Sequence, residues 1–247
     1  MRLDLTAPHQ QYRAKDGTRL PGVTTILGTL AKPALLGWYA ATERENVVQY
    51  LRSGRPLPTR KDGKPLPFAE MKRDKAADLG TVTHFRCSCW LTGEEAEGAG
   101  LAPDLWTEST HGLDRFTSWW TEQGFTLLES EKVLVYESGS IRYGGTADIT
   151  ATDKSLRKVL VDLKTSKASS GWPYDETFGQ VAAYAMAEEL VSGVPVDRII
   201  VARIGKTPGD ELQTVELTRE QFECGMKLFT GAYIAHEAKR SLDKLRK

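Results

Sequence analysis

The sequence predicts a mixed α/β (α+β) fold, helical in its first half and built around a sheet in its second. Two observations carry this. Up to Gln123 the apolar residues recur mostly at helical spacing, whereas beyond Gly124 they fall into short alternating or continuous apolar runs separated by turn residues. Helices and strands come in blocks, and no internal repeat or low-complexity tract divides them. The expectation is therefore one domain over residues 1–247: a mainly helical part (1–125), a sheet region (126–217) and a C-terminal helix (218–247).

Element by element, Gln11 to Leu20 carries an Asp16-Gly17 turn between short extended stretches and predicts a hairpin. From Thr24 to Leu51 the spacing of Ile26, Leu27, Leu30, Leu35, Leu36, Trp38, Tyr39, Val47, Val48 and Leu51 predicts two helices broken near Pro33. Ser53 to Pro67 is rich in Pro, Gly, Arg and Lys, has no periodicity, and predicts an exposed loop. Helices follow over Phe68 to Leu91, stopped by Thr92-Gly93, and around Leu105 to Gln123. Strands are expected at Thr126 to Tyr136, Tyr143 to Thr152 and Lys158 to Thr165, forming an antiparallel meander. A helix over Asp175 to Val191, strands at Asp197 to Ile204 and Glu211 to Leu217, and a final helix complete the chain. That last helix opens on a Thr218 to Gln221 capping box and should bury Phe222, Met226, Phe229 and Tyr233 on one side.

Composition narrows the setting. The sequence has 40% apolar and 27% charged residues, ordinary for a soluble globular protein. No apolar run approaches the ~20 residues that span a bilayer, and the start Met1-Arg2-Leu3-Asp4 has no signal-peptide core, so no membrane association is expected. Cys87, Cys89 and Cys224 are too few for a disulfide framework, which points to a reducing, cytoplasmic compartment. Formal net charge is zero, so nucleic-acid binding would have to rest on local clusters. Basic residues gather at Arg52, Arg55, Arg60, Lys61 and Lys64, at Lys72, Arg73 and Lys75, and at Lys239, Arg240, Lys244, Arg246 and Lys247. The middle group stands just ahead of His84.

The residues that suggest chemistry lie in the sheet half. Val159-Leu160-Val161-Asp162-Leu163-Lys164-Thr165 places an acid and a base two residues apart, on one face of an extended strand, with Leu163 turned the other way. Asp148 stands one hairpin upstream in Gly144-Gly145-Thr146-Ala147-Asp148. Two carboxylates on neighbouring strands are natural ligands for one Mg²⁺, and the backbone carbonyl of Leu163 could add a third. Lys164 beside the metal would orient or help deprotonate a water attacking a phosphodiester. Gly144-Gly145 would clear space for an approaching DNA backbone, and Gly80 would leave room over the His84 imidazole. Gln180 and Tyr184 stand at i, i+4 on the helix that follows the lysine strand. Other patterns fail: Gly205-Lys206-Thr207 has Ile200 where a P-loop needs glycine, and His236-Glu237 is followed by Arg240 where a zinc protease needs histidine. Trp119 and Trp120, adjacent in an apolar helix, are expected in the core and not as base-stacking platforms.

Taken together, Gly80-Thr81-Val82-Thr83-His84, Glu131 opening a strand, Gly144 to Asp148, Val161 to Thr165 and Gln180-Val181-Ala182-Ala183-Tyr184 resemble the PD-(D/E)XK nuclease superfamily. The similarity is to its RecB-like exonuclease branch, which includes phage nucleases, CRISPR-associated adaptation nucleases and the mitochondrial genome-maintenance exonuclease. It covers about positions 80 to 190, and Leu20 to Leu27 with Lys32 to Trp38 also resembles the opening of prokaryotic and phage members. The resemblance implies a restriction-endonuclease-like core, a central mixed sheet flanked by helices, behind the helical N-terminal part. It implies metal ligation by Asp148 and Asp162, with His84 as a ligand or beside the metal, and Lys164 as the catalytic lysine. Gln180 and Tyr184 would contact the DNA phosphate or the active-site network, with Glu131 supporting. Cys87 and Cys89 do not match the branch's iron–sulfur variants, so no cluster is expected.

The expected activity is a Mg²⁺- or Mn²⁺-dependent deoxyribonuclease, chiefly an exonuclease of phage or prokaryotic recombination, replication or repair, with a single-strand-annealing or other recombination protein as a partner. A structure-specific endonuclease, or a DNA-binding or assembly module without catalysis, are the alternatives. DNA would be held through its backbone by Lys72, Arg73, Lys75 or the Arg55 to Lys64 loop.

Overall fold

In the computed structural model, two sheets and six helices among the described residues follow the expected order. The structure describes all residues except 2, 6–9, 31–32, 61, 99–100, 167–171, 207–208 and 247, and the side chains of 33–35. The Lys32 to Leu35 part of the N-terminal motif, Lys61, Thr207 and Lys247 therefore lie wholly or in their side chains outside the described residues.

The chain opens with a hairpin of β1 (Tyr12–Arg13) and β2 (Arg19–Leu20), paired Tyr12 to Leu20. Helix α1 (Val23–Leu27) and α2 (Pro33–Arg52) are the expected pair broken before Pro33. Within the stretch that follows α2, a bridge between Thr59 and Pro65 forms without further regular structure. Helices α3 (Phe68–Thr92) and α4 (Pro103–Gln123) both stop at glycines, Gly93 and Gly124, held in the left-handed region that glycine alone adopts without strain.

The second half is a five-stranded mixed sheet in the order β3-β4-β5-β6-β7. Its strands are β3 (Thr126–Ser138), β4 (Ile141–Thr152), β5 (Lys158–Thr165), β6 (Arg198–Ile204) and β7 (Gln213–Glu216). Strands β3, β4 and β5 form the meander, β6 runs parallel to β5, and β7 returns antiparallel to β6. Helix α5 (Asp175–Ser192) provides the crossover that parallel pairing demands. The final helix α6 (Arg219–Leu245) starts with the expected capping box, in which Thr218 accepts from Gln221 N–H and the Gln221 side chain accepts from Thr218 N–H. Phe229 and Tyr233 are buried on it, with Phe222 packed against the same core.

Each face of the sheet is covered. On one, Leu134, Tyr143 and Leu160 pack with Val23 and Ile26 of α1, Val181 and Ala183 of α5 and Phe229 of α6. On the other, Ile149, Val159, Val161 and Leu163 pack with Cys87 of α3 and Phe116 and Trp120 of α4. This explains why β5 is buried along most of its length and reads as an apolar run: it lies between two helical layers. Trp120 is in that core and Trp119 packs against it, as the sequence suggested.

Two glycine roles differ from expectation. A Cβ on Gly144 would lie 2.2 Å from Tyr12 Cβ, and one on Gly145 would lie 2.5 Å from Tyr184 Cε1. The pair therefore accommodates two tyrosines of this chain, not an approaching DNA backbone. Likewise a Cβ on Gly80 would meet only Thr165, at an ordinary 3.7 Å, so this glycine eases α3 against the end of β5 and does not clear space over His84.

Candidate active site

The ladder between β4 and β5 ends at Ile149 opposite Val161. One residue further along this antiparallel register, Asp148 would face Asp162. In place of another backbone pair, Leu163 N–H donates to Asp148 Oδ2 at 2.6 Å. The two strands separate at this point, and a side chain takes up the freed amide. Opposite Asp148 on the other side is Glu131, between the pairs Ser130 with Ile149 and Lys132 with Ala147. A row of three acids thus crosses three adjacent strands.

The row coincides with a break in strand alternation. Tyr143 and Ala147 belong to the core under α5 and α6, while Ile149 and Ala151 belong to the core under α3 and α4. In a regular strand these four odd-numbered residues would share one face. On β3, Lys132 reaches Glu188 of α5, whereas Ser130 lies 2.9 Å from Ser88 of α3, so the same reversal occurs between them. Glu131 carries the turnover: its φ is +52°, a left-handed conformation that costs a non-glycine residue about 1–2 kcal/mol. Such strain concentrates where the local geometry is used.

A buried ion network holds this kink. Glu188, 1% exposed, contacts Lys158 and lies 3.1 Å from Lys132, which also lies 2.5 Å from Glu129. Lys132 thereby joins the two sides of Glu131 to α5. Nothing in the sequence points to this arrangement, because Lys132, Lys158 and Glu188 are distant in the chain and ordinary in type.

His84, Glu131 and Asp148 each present a ligand atom, all within 4.8 Å of one another. His84 Nδ1 is 3.7 Å from Asp148 Oδ2. This is not an ion pair at neutral pH: burial, and then the neighbouring Lys164 charge, bring the imidazole down to about 4, leaving a neutral nitrogen able to ligate. Burial raises the carboxyls of Glu131 and Asp148, and the charge of Asp148 adds to the effect on Glu131. Glu131 as a residue is exposed, so its shift comes from the enclosure of its carboxyl group and not from burial of the whole side chain.

Asp162 stands outside that tightest trio but shares its field. It is 1% exposed, and burial first, with Asp148 adding to it, pushes its carboxyl up to about 6 against the pull of Lys164. Lys164 Nζ approaches Asp162 Oδ2 to 2.6 Å, yet among the described residues neither carboxylate oxygen has a partner in good hydrogen-bond geometry. On α5, Gln180 Nε2 donates to Tyr184 OH at 3.0 Å. The Tyr184 hydroxyl is held well above the usual phenol range by burial and then by Asp162 and Asp148, so it stays protonated and available as a donor.

His84, Glu131, Asp148, Asp162 and Lys164 thus meet near one end of β5, with Tyr184 in the field of the two aspartates and Gln180 joined to it. Glu131, expected only in support, sits in the tight cluster with His84 and Asp148, and mid-strand in β3 rather than at a strand's opening. Leu163 contributes its N–H to Asp148. The cations expected to hold DNA are largely engaged within the chain: Arg60 with Glu70, Lys64 with Asp62, Arg73 with Asp74, and Lys75 with Asp104 and Glu108.

The donor set suits a hard divalent cation. Two carboxylates and a neutral imidazole converge, the Asp162 carboxylate is buried close by against Lys164, and such a concentration of enclosed acid is costly unless further positive charge meets it. No helix among the described residues is long and apolar enough to cross a membrane.

No protein-family profile matches the chain, and no curated protein does. Solved structures similar to it include a protein from Eubacterium rectale assigned as an exonuclease, 10% identical over 68% of this chain and 71% of that one, with a TM-score of 0.46. An alkaline exonuclease from Laribacter hongkongensis is 15% identical over 69% of this chain and 92% of that one, with a TM-score of 0.34. A phage-related exonuclease from Haemophilus somnus is 14% identical over 75% of this chain and 90% of that one, with a TM-score of 0.33.

Proposed function

We propose that the chain is a Mg²⁺- or Mn²⁺-dependent deoxyribonuclease, chiefly an exonuclease, working in phage or prokaryotic recombination, replication or repair. The observation that carries the reading is the meeting of His84, Glu131, Asp148, Asp162 and Lys164 where β4 and β5 separate, with the Asp162 carboxylate buried against Lys164. The resemblance of the Asp148, Asp162, Lys164 and Gln180 to Tyr184 motifs to PD-(D/E)XK nucleases supports the same chemistry.

Asp148, Asp162, Glu131 and His84 would hold the cation, with the Leu163 carbonyl as a further ligand. A bound divalent cation supplies charge neutralisation on a phosphodiester and lowers the pKa of a bound water. Carboxylates suit Mg²⁺ and Mn²⁺ alike, and the imidazole in the set favours Mn²⁺ over Mg²⁺. Lys164 Nζ, already against Asp162, orients the water and offsets negative charge gathering on the phosphate oxygens. The Gln180–Tyr184 pair provides neutral donors for a phosphate oxygen at the wall formed by α5.

Purified protein given Mn²⁺ or Mg²⁺ should degrade linear DNA and leave covalently closed circles intact. Asp162→Asn and Lys164→Ala should each abolish degradation while keeping the native circular-dichroism spectrum. Full activity in either variant refutes the mechanism, and nicking of closed circles by the wild-type protein refutes the exonuclease assignment in favour of an endonuclease.

A further inference from the structure

A groove of about 750 Å³ between the N-terminal hairpin, α1 and α6 plays no part in the proposed chemistry. Its lining includes Arg19 at the start of β2, Arg240 and His236 on α6, Tyr12, and Thr24 and Thr25 on α1, and it contains no carboxylate. In a chain whose formal charge is zero, a recess with two arginines and no acid is a local departure from balance. Arg19 is exposed and has no ion pair among the described residues. Arg240 meets Glu237 at 2.9 Å with both side chains over 40% exposed, a surface pair that a competing anion can displace.

The groove is tied rigidly to the catalytic strand. Tyr12 is its wall: the ring occupies the space left by Gly22 and Gly144, and its hydroxyl lies 3.0 Å from Thr146 Oγ1, two residues before Asp148. Gly22 bridges to Gly144, and Gly144 N–H donates to the Pro21 carbonyl at 3.0 Å. From Gly144 to Asp148 is four strand residues, or roughly 13 Å at about 3.3 Å each. Of the cations on α3, Arg73 is paired with Asp74, and Lys75 with both Asp104 and Glu108.

The geometry points to this groove, between the N-terminal hairpin, α1 and the C-terminal half of α6, as the track that holds the phosphate backbone of a DNA strand leading to or from the carboxylates. The inference deepens the nuclease reading and rests on it for the identity of the bound polymer. Arg19 and Arg240 supply the charge, and Thr24, Thr25 and the Gln10 and Gln11 amides supply uncharged donors. None of these groups is arranged to read a base, so binding here is independent of sequence.

The test is fluorescence anisotropy with labelled single-stranded and duplex oligonucleotides, in a chelator so that nothing is cut, across a series of salt concentrations. Arg19→Ala and Arg240→Ala should each weaken binding severalfold. Each should also flatten the plot of log affinity against log salt by about 0.7 for single strands or about 0.9 for duplex. Arg19→Lys, which keeps the charge, should restore most of the affinity, and Arg219→Ala, at the other end of α6, should change nothing. Unchanged affinity and slope on both substrates in Arg19→Ala and Arg240→Ala overturn the groove assignment while leaving the nuclease reading standing. DNA binding that depends on Arg19 in a protein that never cuts, with any metal, upholds the groove and overturns the nuclease reading.

Discussion

Asp162→Asn should make the metal-free protein more stable, although it destroys the proposed function. The buried carboxyl is raised from 3.8 to about 6, with desolvation the leading cause and the attraction of Lys164 already opposing it. At 1.36 kcal/mol per tenfold change in proton affinity, that difference amounts to about 3 kcal/mol of strain in the ionised native state. Because the native pKa is the higher one, the native state binds the proton more tightly than the unfolded chain does. The strain is therefore complete above about pH 6, declines as the pH falls through 6, and is gone below 3.8, where both states are protonated. Asparagine has the same shape without the charge, and Lys164, with its side chain 27% exposed, can turn to water. For a chain of this length, about 3 kcal/mol corresponds to roughly 6–12 °C in Tm. Thermal unfolding in chelator should thus show Asp162→Asn above wild type near pH 7.5, with the gap closing towards pH 4. Mn²⁺ at about a thousand times its Kd should reverse the order, since it adds about 4.1 kcal/mol to the protein that binds it, more than the strain it has to offset. A variant no more stable than wild type in chelator, or a gap that ignores pH, would refute the account of Asp162 as a buried charge that Lys164 offsets only in part.

Three other substitutions and one condition probe the same site. Glu131→Gly relieves a left-handed backbone and one of three crowded carboxyls, so its metal-free stability should equal or exceed wild type by up to about 1 kcal/mol, while Mn²⁺ no longer raises Tm. Glu131→Ala keeps the strained backbone and should be about 1 kcal/mol less stable than the glycine variant; denaturant titration of the pair decides whether the conformation or the charge dominates. Gly145→Ala drives a methyl to within 2.5 Å of Tyr184 Cε1, and the displaced ring should cost about 1–3 kcal/mol in urea unfolding and loosen the Gln180 contact. Mn²⁺ affinity should climb between about pH 5.5 and 7.5, because binding requires Asp162, near 6, and the similarly raised Glu131 to lose protons. Calorimetry in buffers of different ionisation enthalpy would detect the released protons, and a flat affinity over that range would contradict the ligand set.

Period and punctuation made the elements readable, and one local event limited how far they could place the site. Helices α3 to α6 carry their caps and stops in the sequence, in the glycines after α3, α4 and α5 and in the Thr218 to Gln221 box before α6. The lysine strand was recognisable as an apolar run of strand length, and Asp162 and Lys164 gained meaning from Asp148 one hairpin upstream and from Gln180 and Tyr184 on the helix that follows. What a strict period of two could not convey is the reversal at Glu131 and Asp148. It assigns Tyr143, Ala147, Ile149 and Ala151 to one face, whereas the structure divides them between two cores. No propensity marks Glu131 for a left-handed φ, since the conformation is imposed by what lies on either side: Lys132 held to Glu188 of α5, and Ser130 against Ser88 of α3. That imposition also explains why Glu131 was undervalued. In a regular strand its carboxyl would follow the alternation set by Ser130 and Lys132, but turning the backbone over at this residue places the carboxyl beside Asp148 and within ligand distance of His84. The strain and the third carboxylate are thus one feature, and a substitution that straightens β3 should lose metal binding even where it keeps every acid. Lys132→Met tests this directly. It removes the tie between β3 and α5 and leaves Glu131, Asp148 and Asp162 in place, so a Mn²⁺ affinity equal to wild type would show that the kink holds without it.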